Sequence, residues 1–174
     1  VDVARKAEEV GLTGIVTADH QVYPRRLASK YPYTPTGAPL WSPETPWPDS
    51  WCLISAMAAA TRTLRFTNSV YIAPARNLFT VGKLVATAAV ISGGRVSLGV
   101  GAGWMKEEFD LNGTDFHTRG KRLDEMIEAL RVLWTPGWQE FHGTYYDFDE
   151  LMFAPWPPAP VPVYCGGISD AAVR

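Results

Sequence analysis

Apolar positions along this 174-residue chain switch between two periods, the three-and-four spacing of helices and the short β-branched runs of strands. Val3, Ala7 and Val10 fall on one face of a first helix, which Gly11 stops. Thr13 to Ala18 (Thr-Gly-Ile-Val-Thr-Ala) predicts a short strand, followed directly by Asp19-His20. Residues 21–48 are rich in Pro, Tyr and Trp without periodicity, which predicts a long loop. Loops beyond about 12 to 15 residues are usually functional or mobile. Asp49 or Ser50 is placed to cap a helix running to about Ala60. Leu64 to Ile72 predicts a second strand, ending at Ala73-Pro74.

A helix follows over Leu78 to Ile91, with Val81, Leu84, Val85 and Ala88 on one face. Gly93 and Gly94 can adopt the left-handed angles that stop it. Val96, Leu98 and Val100 then form a short apolar strand that ends in glycines at 99, 101 and 103. After a loop at 111–116, Leu123, Met126, Ile127, Leu130 and Trp134 mark a long helix. Residues 138–153 predict a hairpin excursion. Prolines between 155 and 162 lead into a strand at Pro162-Val163-Tyr164-Cys165, then Gly166-Gly167 and a helix barely begun at Ser169.

Helices and strands thus alternate, which predicts an α/β domain with a parallel sheet. Ligands of such sheets collect at the carboxyl ends of the strands. Asp19-His20, Ser69 to Pro74, Gly99 to Trp104 and Gly166-Gly167 all fall at such ends, favouring a (β/α)8 TIM barrel. Both chain ends look cut within an element. The expectation is therefore a partial barrel over residues 1–174, about strands two to five, with 21–48 as an insertion loop at its mouth. Four parallel strands leave two unpaired edges, so this polypeptide alone is expected to aggregate or pair.

Composition narrows the partners. Sixteen basic and eighteen acidic residues give a net charge of −2, with no basic stripe for nucleic acid. Two distant cysteines, Cys52 and Cys165, indicate neither a disulfide framework nor a zinc site, and point to a reducing cytoplasm. No apolar run approaches the roughly 18 residues that span a membrane. No pair of histidines has metal-ligand spacing, so no metal is expected.

Five features bear on the chemistry. Glycines 99, 101 and 103 remove side chains where a strand ends, letting a flat or charged ligand approach the backbone. A nicotinamide fingerprint would need its third glycine where Trp104 stands, and Asp124 lies in a helix rather than at a strand end. Asp19 beside His20 could orient the imidazole for acid–base work, or simply cap. Gly166-Gly167-Ile168-Ser169, between strand and helix, could bind an anion through free N–H groups; a plain capped turn is the alternative. Glu107 and Glu108 point about 100° apart on a helix and cannot face one site as a pair; a solvated helix start is expected for at least one. Tyr23, Tyr31, Tyr33, Trp41 and Trp47 line a substrate pocket or cover the barrel mouth.

With these positions placed, the chain resembles the luciferase-like monooxygenase superfamily, in its coenzyme F420-dependent oxidoreductase branch. The resemblance rests on Ala18-Asp19-His20, on Asn68-Ser69-Val70-Tyr71-Ile72-Ala73-Pro74-Ala75-Arg76-Asn77, and on Leu84 through Gly113 with its Ser-Gly-Gly-Arg-Val-Ser-Leu-Gly-Val-Gly-Ala-Gly-Trp-Met-Lys-Glu-Glu-Phe run. Phe116 to Glu125 and Pro162 to Gly167 continue it. It implies a TIM barrel of the bacterial luciferase type with F420 at the carboxyl face. A non-proline cis peptide is implied at Ser69–Val70, and a catalytic His20. The implied cofactor-binding residues are Asp19, Asn68, Ser69, Val70, Tyr71, Gly101, Gly103, Trp104, Gly166, Gly167, Ile168 and Ser169. The last four would hold its phosphate. Sugar-phosphate dehydrogenases of the superfamily carry an acidic residue where this chain has Trp104, so a hydrophobic organic substrate is implied instead. An FMN-dependent monooxygenase, or a non-catalytic flavin-binding relative, are the alternatives. The resemblance also implies a homo-oligomer, a dimer, for the full-length protein.

Overall fold

The computed structural model describes residues 1–167. In chain order it contains α1 (Asp2–Glu9), β1 (Gly14–Thr17), α2 (Ser50–Ala59), β2 (Arg65–Asn68), α3 (Leu78–Ser92), β3 (Leu98–Val100), α4 (Lys106–Leu111), α5 (Arg119–Leu133), β4 (Trp138–His142), β5 (Asp147–Met152) and β6 (Val163–Cys165). Short 3-10 turns stand at Ala73–Ala75 and Phe116–Thr118. Residues 21–48 contain no helix or strand. No helix among the described residues is long and apolar enough to cross a membrane.

Four strands run parallel in the order β1-β2-β3-β6. β1 pairs with β2 from Gly14↔Arg65 to Thr17↔Asn68, and β3 with β6 from Leu98↔Val163 to Val100↔Cys165. Bridges Phe66↔Val96 and Tyr71↔Val100 join the two pairs. This register aligns the carboxyl ends at Thr17, Asn68, Val100 and Cys165. β4 and β5 form an antiparallel hairpin apart from that sheet.

Alternation along the strands sends Phe66, Val96, Leu98 and Val100 to one face, where they pack with Trp51 and Ile54 of α2, Val81 and Val85 of α3, and Met126 and Leu130 of α5. Each such buried side chain is worth about 1.5–3 kcal/mol. The opposite face keeps Val16 and Tyr164 exposed, Val16 at 59%.

Local chemistry sets the element ends. The Asp49 carboxylate accepts the N–H groups of Trp51 and Cys52 as the α2 cap. Gly93, at φ 63°, closes α3 in the left-handed region. At the amino end of the sheet, Glu8 of α1 gathers the backbone N–H groups of Arg62, Thr63 and Leu64. Those bonds hold its carboxyl down at about 2.

Three expectations about elements change. The buried face of α1 is Ala4 and Ala7, while Val3 (77% exposed) and Val10 face outward. Ala4 and Ala7, three positions apart, share the face of α1 that joins the core. The second strand ends at Asn68 rather than Ile72; beyond it Tyr71 meets the sheet only as a single bridge to Val100, and the Ser69–Val70 peptide between them is cis. The glycine-ended strand likewise shortens to Leu98–Val100, with Val96 reduced to a single bridge.

Candidate active site at the strand ends

His20 follows β1, and consecutive residues at an extended strand end point in opposite directions. Asp19 accordingly turns away from it. Its Oδ1 accepts from Nη2 of Arg76 at 2.8 Å and its Oδ2 from Nη1 at 2.8 Å, with the Ile72 N–H adding a third bond at 3.0 Å. Both side chains are buried, 3% and 9% exposed. Burial pushes the Asp19 carboxyl above its ordinary value, opposed by the Arg76 guanidinium and the Ile72 amide. Asp19 therefore fastens β1 to the segment after β2 and does not orient His20, contrary to the expectation from their adjacency.

The imidazole meets Glu108 instead. Oε1 of Glu108 lies 3.2 Å from His20 Nδ1 and accepts the Gln21 N–H at 2.7 Å. The His20 side chain is 8% exposed and that of Glu108 3%. Its neighbour Glu107 diverges, as helix geometry requires, and accepts the N–H groups of Ala28 and Ser29. Burial raises the Glu107 carboxyl, but the Ser29 hydroxyl and these amides outweigh it and hold it below its ordinary value. Neither glutamate is the solvated helix start expected of at least one. Each closes on the long loop, a partnership that only the folded chain reveals.

The loop returns to cover the imidazole. Ring centroids of Trp41, Trp47 and Trp104 stand 4.9, 5.1 and 5.7 Å from that of His20. Tyr31 buttresses Trp41 at 5.1 Å and Trp104 at 5.2 Å. These rings form one aromatic wall, and the indole N–H of Trp47 is buried without a hydrogen-bond partner. A cleft of about 430 Å³, lined by Arg76, Asn112, Arg122 and Tyr145 among others, includes neither His20 nor Trp104.

The glycine run works differently from its reading as open space. A Cβ on Gly101 or on Gly166 would collide with the two γ-methyl groups of Val70, and one on Gly99 with the Asn68 carbonyl. Gly103, at φ 87°, leaves room for Ile72 and Phe109. The protein's own atoms occupy what the glycines vacate. Their effect is to seat Val70, half-buried, on the backbone immediately after β3 and β6, at Gly101 and Gly166.

The remaining predicted residues divide by exposure. Ser69 is exposed at the strand end. Asn68 is buried, its amide donating to the Thr17 hydroxyl while Oδ1 has no partner. Tyr71 is fully buried, packed edge-on to Trp51 under the Arg76 guanidinium, so its side chain belongs to the core. The Gly166 N–H donates to Val100 at 2.7 Å and is not free for an anion, whereas Gly167 is exposed. Ile168 and Ser169 lie outside the described residues.

The whole chain, residues 1–174, matches the family described as luciferase-like monooxygenase. It is 38% identical over 174 residues to an uncharacterized protein of Mycobacterium tuberculosis, covering all of this chain and 60% of that protein. It is 33% identical over 168 residues to an F420-dependent glucose-6-phosphate dehydrogenase of Amycolatopsis mediterranei, covering 94% of this chain and 46% of that protein. The oxygenating constituent of 3,6-diketocamphane monooxygenase of Pseudomonas putida, solved with FMN, superposes with a TM-score of 0.72 at 19% identity, over 97% of this chain and 45% of its own. That likeness shows the fold. The chain thus spans about half the length of such proteins, and over all of that span it belongs to the luciferase-like monooxygenase family.

Proposed function

We propose that the protein is a flavin-type oxidoreductase that transfers a hydride between coenzyme F420 and an apolar organic substrate, with His20 as the acid–base group. One observation carries this reading: a buried histidine, held at Nδ1 by a carboxylate, stands inside an aromatic wall at the carboxyl ends of a parallel sheet. Ligands of such sheets gather at those ends. The 33% identity to an F420-dependent dehydrogenase supports the cofactor class.

The residues fit a flat ring. Val70, seated on Gly101 and Gly166, offers an apolar platform beside the exposed Ser69. Gly103 and Trp104 would border the ring, and Gly167 with Ile168 and Ser169 would meet its phosphate. When bound, F420 supplies a two-electron hydride acceptor or donor. The chain supplies the rest. When a hydride leaves the carbon of a substrate alcohol, the hydroxyl proton must go to a base as the carbonyl forms, and Nε2 of His20 takes it. In the reverse direction the same nitrogen returns it. The aromatic wall excludes water around the reacting groups.

The aromatic wall supports an apolar substrate. Trp41, Trp47 and Trp104 offer apolar surface, and Arg76 is committed to Asp19. A sugar phosphate would find no matching charge on those rings, whereas an apolar alcohol or ketone would bury its carbon skeleton against them.

Titrating the chain with F420 and, separately, with FMN tests the cofactor. Saturable change in the deazaflavin absorbance, with FMN inert, is the expected result. Binding of FMN alone would move the protein to the monooxygenase reading, and binding of neither would overturn both. With F420 bound, an apolar secondary alcohol should be oxidised and a sugar phosphate should not.

A further inference from the structure

We propose that Glu108 is a positioning residue for His20: it fixes the ring proton on Nδ1 and so leaves Nε2 as the nitrogen that exchanges protons. The proposal rests on the reading of His20 as the acid–base group.

The hydrogen-bond directions assign the tautomer. The Gln21 backbone N–H can only donate, and it points at Oε1 of Glu108 from 2.7 Å. That same oxygen faces His20 Nδ1 at 3.2 Å. A carboxylate oxygen accepts both bonds at once when Nδ1 carries its hydrogen. Nε2, on the other edge of the ring, then faces away from α4 with its lone pair free.

No other described carboxylate holds the ring. Both oxygens of Asp19 are occupied by Arg76 and the Ile72 amide. Glu107 faces the Ala28 and Ser29 amides. The aromatic rings around the imidazole offer it no strong acceptor, and they restrict its rotation by packing.

Glu108 is itself held in place from both sides. Nδ2 of Asn112 donates to the Glu108 carbonyl and to Oε1 of Gln21, both at 2.7 Å. The hydroxyl oxygen of Ser29 accepts the Lys106 N–H at 2.9 Å. The six residues of α4 therefore grip the loop just after His20 at two points, Gln21 and Ala28-Ser29. Imidazole orientation and loop position are set by one short helix.

Nitrogen-15 spectra of the histidine-labelled chain, recorded where the ring is neutral, test this without any cofactor. His20→Gln identifies the His20 signals among those of His117 and His142. The wild type should show a protonated Nδ1 and an unprotonated Nε2. Glu108→Gln should keep that pattern, because its amide oxygen accepts the same two bonds. Glu108→Ala should move both signals toward the mixture of an unrestrained imidazole. Asp19→Asn should leave them unchanged. A wild-type ring protonated on Nε2 overturns the proposal even if the alanine variant fails to fold. So does a folded Glu108→Ala chain with unmoved signals. Should the tautomer be as stated while F420 fails to bind, the proposed function falls, and what stands is that Glu108 fixes the ring proton on Nδ1.

Discussion

The Asp19–Arg76 pair and the Glu108–His20 pair flank one dipeptide, and they do different work. Asp19 has all its bonds inside the scaffold: two to a guanidinium and one to a backbone amide, joining the ends of β1 and β2. Glu108 reaches across 88 positions of sequence to a ring that stands among tryptophans. The first is a fastening, the second an orientation. Adjacency in sequence pairs Asp19 with His20, but the pleat of the strand sends them to opposite sides. The residue that meets the imidazole comes from another element altogether.

The two pairs should separate cleanly under mutation. Arg76→Ala leaves a buried carboxylate without its cation, and should cost about 3–5 kcal/mol in urea unfolding. If the chain remains folded, the His20 ring signals should stay where they were. Glu108→Ala orphans the Gln21 N–H and the ring N–H; a smaller loss of about 2–3 kcal/mol is expected, accompanied by displaced ring signals. A ring response to Arg76→Ala comparable with that of Glu108→Ala would merge the two pairs into one network.

Gly101→Ala probes the platform between them. Its Cβ would collide with a γ-methyl of Val70, so overpacking should cost about 1–3 kcal/mol. In a Val70→Ala background the collision is gone and the nearest Val70 atom, Cβ, lies 3.3 Å away, so the penalty should shrink. Equal penalties in both backgrounds would show that something other than Val70 fills the site.

The smallest effect belongs to Glu8, a carboxylate that gathers three amides as Glu108 gathers one, but with no histidine. Its folded value of about 2 lies below its ordinary 4.5. It therefore contributes stability in full above about pH 4.5, and that contribution is lost as pH falls through 2. Glu8→Gln should lower stability at neutral pH, flatten the acid limb of unfolding between those values, and converge with the wild type as pH approaches 2. An unchanged acid limb would show that the amide cluster is held by packing alone.

What the sequence discloses is local. The Asp49 cap, the left-handed Gly93 and the hairpin over β4 and β5 follow from neighbouring residues, and the structure has them where the pattern puts them. Four strand ends level with one another also follow, because alternation of elements implies a parallel sheet. Val3 and Val10 mislead, since helical spacing marks a face without saying how deep the groove beneath it is. The glycines mislead in the same way: a missing side chain marks close approach, and only the fold tells that Val70 is what approaches. Glu108 was hidden because its burial depends on a loop with no periodicity. The one sequence signal that could have raised it is the contrast between a charged pair and the apolar Phe109 that follows, fully buried in α4.

The central claim is that His20 does acid–base work on a hydride transfer at this strand-end site. The direct measurement mixes the whole chain, loaded with oxidised F420, with an apolar secondary alcohol and follows the deazaflavin absorbance, for the wild type and for His20→Ala. The account predicts bleaching by the wild type and a rate about 10²- to 10⁴-fold lower in the variant, with F420 affinity nearly unchanged. Equal rates in the two proteins would contradict it.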